Sequence, residues 1–315
     1  MAEPADDYDV LIVGGGPAGL SAALVLGRCR RRVLLCDSGE YRNASAPAVH
    51  GFLTRDGVSP AELRRIGREQ LRSYDTVEVR DVAVQDIASV ESGFEAQLSD
   101  GSTVRARQAL LATGVVDRLP RVAGVAELYG RSVFHCPYCD GWEVRDQPLA
   151  VYGHGRGARA LTVELLGWSA DVLLCTDGRR VRREDRLRLE QSGIAVREER
   201  IDRLEGQDGV LERIVFREGP SAARRALFLS GGNDQRSDLP QRLGCRFTRK
   251  GKVATGRFEI TNVPGLFVAG DASGDVQLAI IAAAEGARAA FAINQRILKA
   301  AAARAGRTSF DNGTS

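Results

Sequence analysis

Two cysteines stand three positions apart in the run Cys136-Pro137-Tyr138-Cys139-Asp140-Gly141. A dithiol that cycles with a disulfide moves two electrons. Three readings compete for such a pair. A zinc site wants a second pair of Cys or His at ligand spacing; Cys175 and Cys245 stand alone, and His135 is the only nearby His. Two buried reduced thiols would do no chemistry. A redox pair is served by its neighbours. Pro137 suits a first helical position, and a helix starting there turns its positive end toward the sulfurs and favours a thiolate. Asp140 is placed to act as acid or base for a leaving thiolate, or to stand as a helix N-terminal carboxylate.

The pair lies between two glycine-rich fingerprints. An apolar strand, Tyr8 to Val13, runs into Gly14-Gly15-Gly16-Pro17-Ala18-Gly19 and a helix, Leu20 to Gly27. A second strand, Arg32 to Cys36, ends at Asp37, 18 positions after Gly19. Gly14 permits the tight turn, Gly16 lets a pyrophosphate approach backbone, and Gly19 lets helix and strand pack closely. The helix N-terminus takes the phosphate charge, and Asp37 accepts from ribose hydroxyls. The second fingerprint is Gly153-His154-Gly155-Arg156-Gly157-Ala158, after a strand from Pro148 to Tyr152 and before a helix from Arg159 to Trp168. Its next strand, Asp171 to Cys175, ends near Asp177, with Arg179, Arg180, Arg182 and Arg183 following. Those arginines suit either a 2′-phosphate or a solvated turn. A dinucleotide fold beside a dithiol can place a flavin within reach of it.

The same grammar is thus used twice. Each βαβ unit is followed by an Asp-Gly hairpin, Asp100-Gly101 and then Asp208-Gly209, and by an apolar strand ending in Gly, Ala109 to Gly114 and Ala226 to Gly231. The fold class expected is α/β: two Rossmann-like, doubly wound domains of three-layer ββα type. The segment 260–297 has a strand, Leu266 to Val268, then Gly270-Asp271, then an Ala-rich helix beginning near Leu278. It completes the first domain, which becomes discontinuous: 1–117 plus 241–315, with 118–240 carrying the cysteine pair. An Asp at that strand end can hold a polyol chain, and the helix start can aim its N–H groups at an electron-rich ring oxygen.

Composition excludes several classes. The chain has 315 residues, 43% hydrophobic and 27% charged, the mix of a globular protein with room for two domains. A net charge of +3 gives no reason to invoke nucleic acid or a membrane surface. No apolar run approaches a membrane span. The acidic start, Met1 to Asp7, lacks a signal peptide's basic and apolar regions. One working pair and four ordinary buried thiols, Cys29, Cys36, Cys175 and Cys245, fit a cytoplasmic location. His50, His135 and His154 are isolated in sequence, as structural histidines are. The residues from Thr308 to Ser315 read as a loose tail.

Five motifs in order resemble the low-molecular-weight thioredoxin reductases of the FAD-dependent pyridine nucleotide-disulfide oxidoreductase family. They are Gly14-x-Gly16-x-x-Gly19, Ala112-Thr113-Gly114, Cys136-x-x-Cys139-Asp140-Gly141, Gly153-x-Gly155-x-x-Ala158 and the run from Val263 to Asp271. The resemblance implies an FAD-dependent dithiol/disulfide oxidoreductase and a homodimer. Its partner would be a thioredoxin-like protein or a small dithiol or disulfide. It implies that Cys139 lies against the flavin, that Cys136 attacks the partner, that Asp140 is the acid–base group and that Asp271 holds the ribityl chain. By the same resemblance FAD would be bound by Gly14, Gly16, Pro17, Ala18, Gly19, Asp37, Ser38, Arg42, Asn43, His50, Ala112, Thr113, Gly114, Gly270, Asp271, Gln277, Leu278 and Ala279. No metal is implied.

Two departures bear on the electron partner. The reductases grip the NADPH 2′-phosphate with a His-Arg-Arg run where this chain has Thr176-Asp177-Gly178. A charge-assisted hydrogen bond contributes roughly 1.5–3 kcal/mol, so losing two Arg contacts costs about 3–6 kcal/mol, on the order of 10² to 10⁴ in affinity. NADPH is therefore expected to bind poorly unless the later arginines substitute, and Asp177 could favour NADH. The family's Arg-Gln-Ala run appears here as Gln277-Leu278-Ala279. The segment from Arg42 to Gly57 also resembles a side branch that oxidises dithiols with O₂, although that branch often has a His at the place of Asp140. The alternatives carried forward are a dithiol oxidase using O₂, a reductase fed by NADH or ferredoxin, and a flavin-binding redox sensor.

Overall fold

The computed structural model divides into two compact units, one of residues 1–42, 61–116 and 235–315, the other of 43–60 and 117–234. Residues 8–274 and 276–311 are described, the side chains from 304 onward excepted. The acidic N-terminal residues thus lie outside the described residues, as do residues 312–315. The last helix, Ala279–Asp311, runs through the start of the tail that the sequence led us to expect as loose.

The first unit is built on Tyr8–Val13 and Val33–Cys36, which pair in parallel and are continuously buried along their apolar residues. Strands covered on both faces need no polar alternation, which is why their sequence shows none. The sheet order is Val77–Arg80, Val33–Cys36, Tyr8–Val13, Thr103–Leu111, Gly93–Leu98, Val84–Val90. The first four strands are parallel and the last two antiparallel. Thr103–Leu111 pairs with Tyr8–Val13 on one edge and is long enough to serve two neighbours on the other. Its first half pairs with Gly93–Leu98, and Ala109 to Leu111 pair in parallel with Leu266–Val268. This pairing carries Gly270-Asp271 to the same sheet edge as the first fingerprint.

One core of this unit joins the sheet to the helices Pro17–Arg28 and Ala279–Asp311. Those helices touch backbone to backbone. A Cβ on Gly286 would stand 2.0 Å from the Ala18 carbonyl oxygen. The second core, on the other face, holds Phe94, Leu98, Leu111 and Leu266.

The second unit repeats the plan. Its sheet order is Ala195–Arg197, Val172–Cys175, Leu149–Tyr152, Ala226–Leu229, Val133–Phe134, all parallel. Ile201–Gln207, Val210–Phe216 and Ala222–Ala223 form a small antiparallel sheet whose Leu204, Leu211 and Ile214 cover one face. The helices Gly155–Glu164 and Arg183–Gln191 cover the other, through Ala158 and Leu189. The Asp208-Gly209 turn has both residues at positive φ, +55° and +84°, as a two-residue type I′ hairpin requires.

Of the four lone thiols, Cys36, Cys175 and Cys245 are buried, but Cys29 is only partly covered, at the C-cap of the first helix. Burial pushes Cys36 and Cys175 up to about 12, so neither supplies a thiolate at neutral pH. No helix among the described residues is long and apolar enough to cross a membrane.

Gly286→Ala gains about 1 kcal/mol of helix propensity, yet must push two backbones apart, an overpacking cost of about 1–3 kcal/mol. The expected result is a lower urea midpoint. Gly167→Ala, with nothing within 4 Å of the new methyl, leaves the midpoint nearly unchanged.

Candidate active site

In the first unit the fingerprint forms a cradle. Gly14 sits at φ +113°, and a Cβ there would be 2.3 Å from the Ala112 carbonyl oxygen. A Cβ on Gly19 would be 1.9 Å from the Gly14 oxygen, so strand, turn and helix are in direct backbone contact. Gly16 by contrast faces open space, with nothing within 4 Å of a Cβ. It is the N-cap of Pro17–Arg28, a helix with no side-chain cap and no acidic residue in its first turn. Its leading N–H groups are therefore left for an anion, and the dipole favours one.

The rest of the cradle comes from far along the chain. Arg42 reaches Asp271 Oδ2 and Gln277 Oε1, both at 2.8 Å. Lys252 Nζ donates to the Asp271 carbonyl oxygen at 2.8 Å, and the Gly270 N–H donates to Glu285 at 2.7 Å. The Thr113 hydroxyl oxygen is buried without a hydrogen-bond partner. An orphaned hydroxyl of this kind, an uncapped helix and an open glycine form a donor-rich site for a dinucleotide. Ala112, Thr113 and Gly114 follow the strand beside Gly14. Leu278 accepts the first backbone bond of the last helix, which begins at Ala279.

Asp37 is 2% exposed and already engaged. Its Oδ2 accepts from Tyr41 at 2.6 Å and Arg68 at 2.5 Å, and its Oδ1 from the Gly39 N–H. Burial alone would raise its pKa, but the Tyr41, Arg68 and Gly39 donors more than offset that and hold it below the ordinary Asp value. Ser38 is exposed beside it. Asn43 and His50 are not in this unit. They belong to the second one, where His50 pairs with acidic side chains.

The second unit holds the redox turn. Val133–Phe134 delivers His135 and then Cys136, which is extended at φ −130° and forms the N-cap of the single turn Pro137–Asp140. Pro137 occupies the first helical position as expected, but the helix is one turn long, so its dipole adds little. Cys136 and Cys139 form a disulfide with Cα atoms 5.3 Å apart. Gly141 closes the turn where any Cβ would strike the Pro137 oxygen at 2.5 Å and the Trp168 indole nitrogen at 2.9 Å. Tyr138 is exposed and meets Trp168 edge-on. Asp140 is half-buried, and burial first, then the Glu143 carboxylate, push its pKa up to about 7, against the pull of His50. It is therefore a neutral carboxylic acid through most of the range below pH 7 and a carboxylate above it.

The remaining histidines are placed by structure. His135 Nδ1 lies 3.2 Å from the Tyr129 hydroxyl, which donates to Asp117 at 2.7 Å. His154 is the exposed N-cap of Gly155–Glu164. Among the described residues no group of three or more His, Cys, Asp or Glu could hold a metal ion.

The second cradle is similar but altered at its acceptor end. Gly153 and Gly155 have positive φ, and Gly155 faces open space as Gly16 does. Thr176 is buried and its hydroxyl donates to the Arg179 carbonyl. Asp177 accepts from the Tyr152 hydroxyl at 2.9 Å and the Ile201 N–H at 2.8 Å. Both of its oxygens are thus used to tie strands together. Arg179, Arg180, Arg182 and Arg183 are exposed.

Sequence reasoning missed Tyr41 and Arg68, which anchor Asp37, and Glu285, which holds Gly270. The Arg68 and Glu285 contacts span 31 and 15 positions and have no spacing signature, whereas Tyr41 stands four residues after Asp37. Glu143 carried a readable one: it stands three residues after Asp140.

This pairing of a dinucleotide cradle with a disulfide turn defines a flavin-linked disulfide oxidoreductase. The chain belongs to the pyridine nucleotide-disulphide oxidoreductase family, whose pattern it matches over residues 8–286. It is 35% identical over 307 residues to a probable thioredoxin reductase of Arthroderma benhamiae, covering 86% of this chain and 76% of that protein. The crystal structure of a protein named HlmI superposes with a TM-score of 0.93 at 36% identity, covering 100% of this chain and 99% of the other. That of a putative thioredoxin reductase, TrxB, from Bacillus anthracis gives 0.88 at 34% identity, over 93% and 99%. The chain is an FAD-dependent dithiol/disulfide oxidoreductase resembling thioredoxin reductase.

The Asp37 cluster makes a prediction. Its lowered pKa means that its stabilisation is complete above the ordinary Asp range and is lost as pH falls through the folded value. Asp37→Asn is expected to lower the urea midpoint at pH 7, and its difference from the unsubstituted protein should narrow progressively as pH falls below the ordinary Asp range, measured by fluorescence.

Proposed function

We propose that the first unit is the FAD-binding domain and the second a nicotinamide-type domain carrying the redox pair. FAD, when bound, supplies the capacity to accept and return two electrons. The uncapped start of Pro17–Arg28 holds its pyrophosphate. Arg42, Asp271, Gln277 and Thr113 orient the remainder, and Leu278 and Ala279 bring the last helix's N–H groups to the ring. In the second unit, once two electrons, which a bound FAD would supply, and two protons have opened the Cys136–Cys139 disulfide to the dithiol, the Cys136 thiolate attacks a sulfur of the partner disulfide, forming a mixed disulfide and releasing one partner thiolate. Cys139 then attacks Cys136, which restores the protein disulfide and frees the second partner thiol. Asp140 gives its proton to the leaving thiolate, and the partner is reduced by two electrons and two protons. With a dithiol substrate every step runs in reverse.

One observation carries this reading: the Cys136–Cys139 disulfide is followed directly by a half-buried carboxyl raised to about 7. That value suits a group that must both give and take a proton near neutrality. The partner is a thioredoxin-like protein or a small dithiol or disulfide, met in the cytoplasm. The first unit's exposed Ile260, Phe291 and Leu298, with the half-buried Phe258 beside Phe291, support a homodimer.

A second reading keeps this chemistry and changes the electron partner. Its support is the acceptor end of the second cradle, where Thr176-Asp177-Gly178 stands in place of a His-Arg-Arg run. NADH, ferredoxin or O₂ would then replace NADPH.

Cys139→Ser is expected to keep the protein yellow while abolishing turnover of dithiols and disulfides. Unchanged turnover in that variant would refute the assignment. Asp140→Asn should lower turnover by about 10²–10⁴-fold. Because the raised pKa leaves the acid form below about 7, disulfide reduction should fall as pH rises through that value, and the Asn variant should lose this limb. Anaerobic mixing with each nicotinamide separates the two readings: rapid bleaching of the flavin by NADPH would exclude the second.

A further inference from the structure

The turn that carries Asp271 is held at both ends. Gly270 is buried at φ +79° between two helices: a Cβ there would stand 3.2 Å from the Ala18 Cβ and 3.6 Å from the Ala282 Cβ. The N–H groups of Ser273 and Gly274 close the turn on the Gly270 carbonyl oxygen, at 3.0 and 2.9 Å. Lys252 Nζ and Gln277 Nε2 donate to the Asp271 carbonyl oxygen at 2.8 and 3.3 Å. The Gly270 N–H has a side-chain acceptor, Glu285 Oε2 at 2.7 Å. Glu285 is half-buried on the last helix, three positions after Ala282 and so on the same face. Its carboxyl rests against Gly274. A Cβ at Gly274 would be 2.8 Å from Glu285 Oε1, and its three nearest atoms all belong to that carboxyl.

We propose that Glu285 is a positioning residue for FAD: by accepting from the Gly270 N–H it fixes the turn that aims the Asp271 carboxylate. This deepens the reading of the first unit as the FAD-binding domain and rests on it. Gly270 immediately precedes Asp271, so a rotation at Gly270 swings the Asp271 side chain away from Arg42. A glycine resists such a rotation least of all residues, and a fixed acceptor for its N–H removes that freedom. Glu285 belongs to the same helix whose start, at Ala279, carries the N–H groups assigned to the ring. One rigid element thus sets both the helix start and the Asp271 turn, as a site's supporting contacts must. An amide oxygen can accept the same bond as a carboxyl oxygen, so the role lies in the hydrogen bond. Position 274 needs the space of a glycine because the Glu285 carboxyl fills it.

The test is the binding of FAD to the apoprotein, followed by flavin fluorescence. Glu285→Ala leaves the buried Gly270 N–H without its acceptor and should raise the dissociation constant about ten-fold, whereas Glu285→Gln should stay within about two-fold of the unsubstituted protein. Gly274→Ala displaces the carboxyl without altering Glu285 itself, and should weaken FAD in the same direction as Glu285→Ala. Because Glu285 acts through Asp271, Glu285→Ala combined with Asp271→Asn should lose less than the sum of the two single losses. Additive losses, or a Gln variant as weak as the Ala variant, overturn the proposal. So does an unchanged dissociation constant in Glu285→Ala with a lower urea midpoint of the apoprotein, the mark of a residue that only supports the fold. Asp271→Asn separates the two layers of the reading. If it leaves FAD affinity unchanged, the assignment of this turn to FAD fails; if it weakens FAD and Glu285→Ala does not, the positioning role of Glu285 alone fails.

Discussion

Backbone must come close to backbone in both units, and the functional geometry follows from that constraint. The Gly14, Gly19 and Gly286 contacts leave no room for a methyl group, with Cβ distances of 2.3, 1.9 and 2.0 Å to carbonyl oxygens. These contacts press the first strand, the first helix and the last helix into one block. Only then does the uncapped helix start at Gly16 share a sheet edge with Asp271, more than two hundred residues away in the chain. A packed interior transmits such constraints because it has few voids to absorb a shift.

The redox turn obeys the same logic on a smaller scale. Gly141 permits the chain to fold back under Trp168, and the turn from Pro137 to Asp140 holds the two sulfurs together. The carboxyl beside them is only partly buried, but burial is the largest cause of its raised pKa. A solvated Asp at this position would be ionised at neutral pH and would have no proton to give. The one-turn helix contributes little field of its own. The raised pKa of Asp140 therefore depends on desolvation first and then on the Glu143 carboxylate.

Duplication of the βαβ plan explains why the two units are alike in outline and different at their acceptor ends. Both have a buried parallel sheet, an open glycine at a helix start and an Asp at the end of the next strand. Asp37 is held by Tyr41 and Arg68 next to the first cradle, whereas Asp177 spends both oxygens on Tyr152 and Ile201. A side chain that ties strands together has fewer lone pairs left for a ligand. The difference between the cradles therefore lies in what surrounds each carboxylate.

The sequence by itself determined the plan: period-free apolar strands, two glycine fingerprints, an Asp-Gly hairpin and the CPYCD run are local patterns with local physical causes. It also marked most of the residues that line the first cradle. The tertiary structure alone decided the partners. It took Asn43 and His50 out of the first unit and set His50 against Glu143. It brought Arg42 to Asp271 and Arg68 to Asp37, and gave Asp140 its intermediate burial. Ion pairs and desolvation depend on where distant segments meet, and spacing along the chain carries no record of that. The last helix shows the same limit, since it continues to Asp311 through residues whose composition reads as a tail.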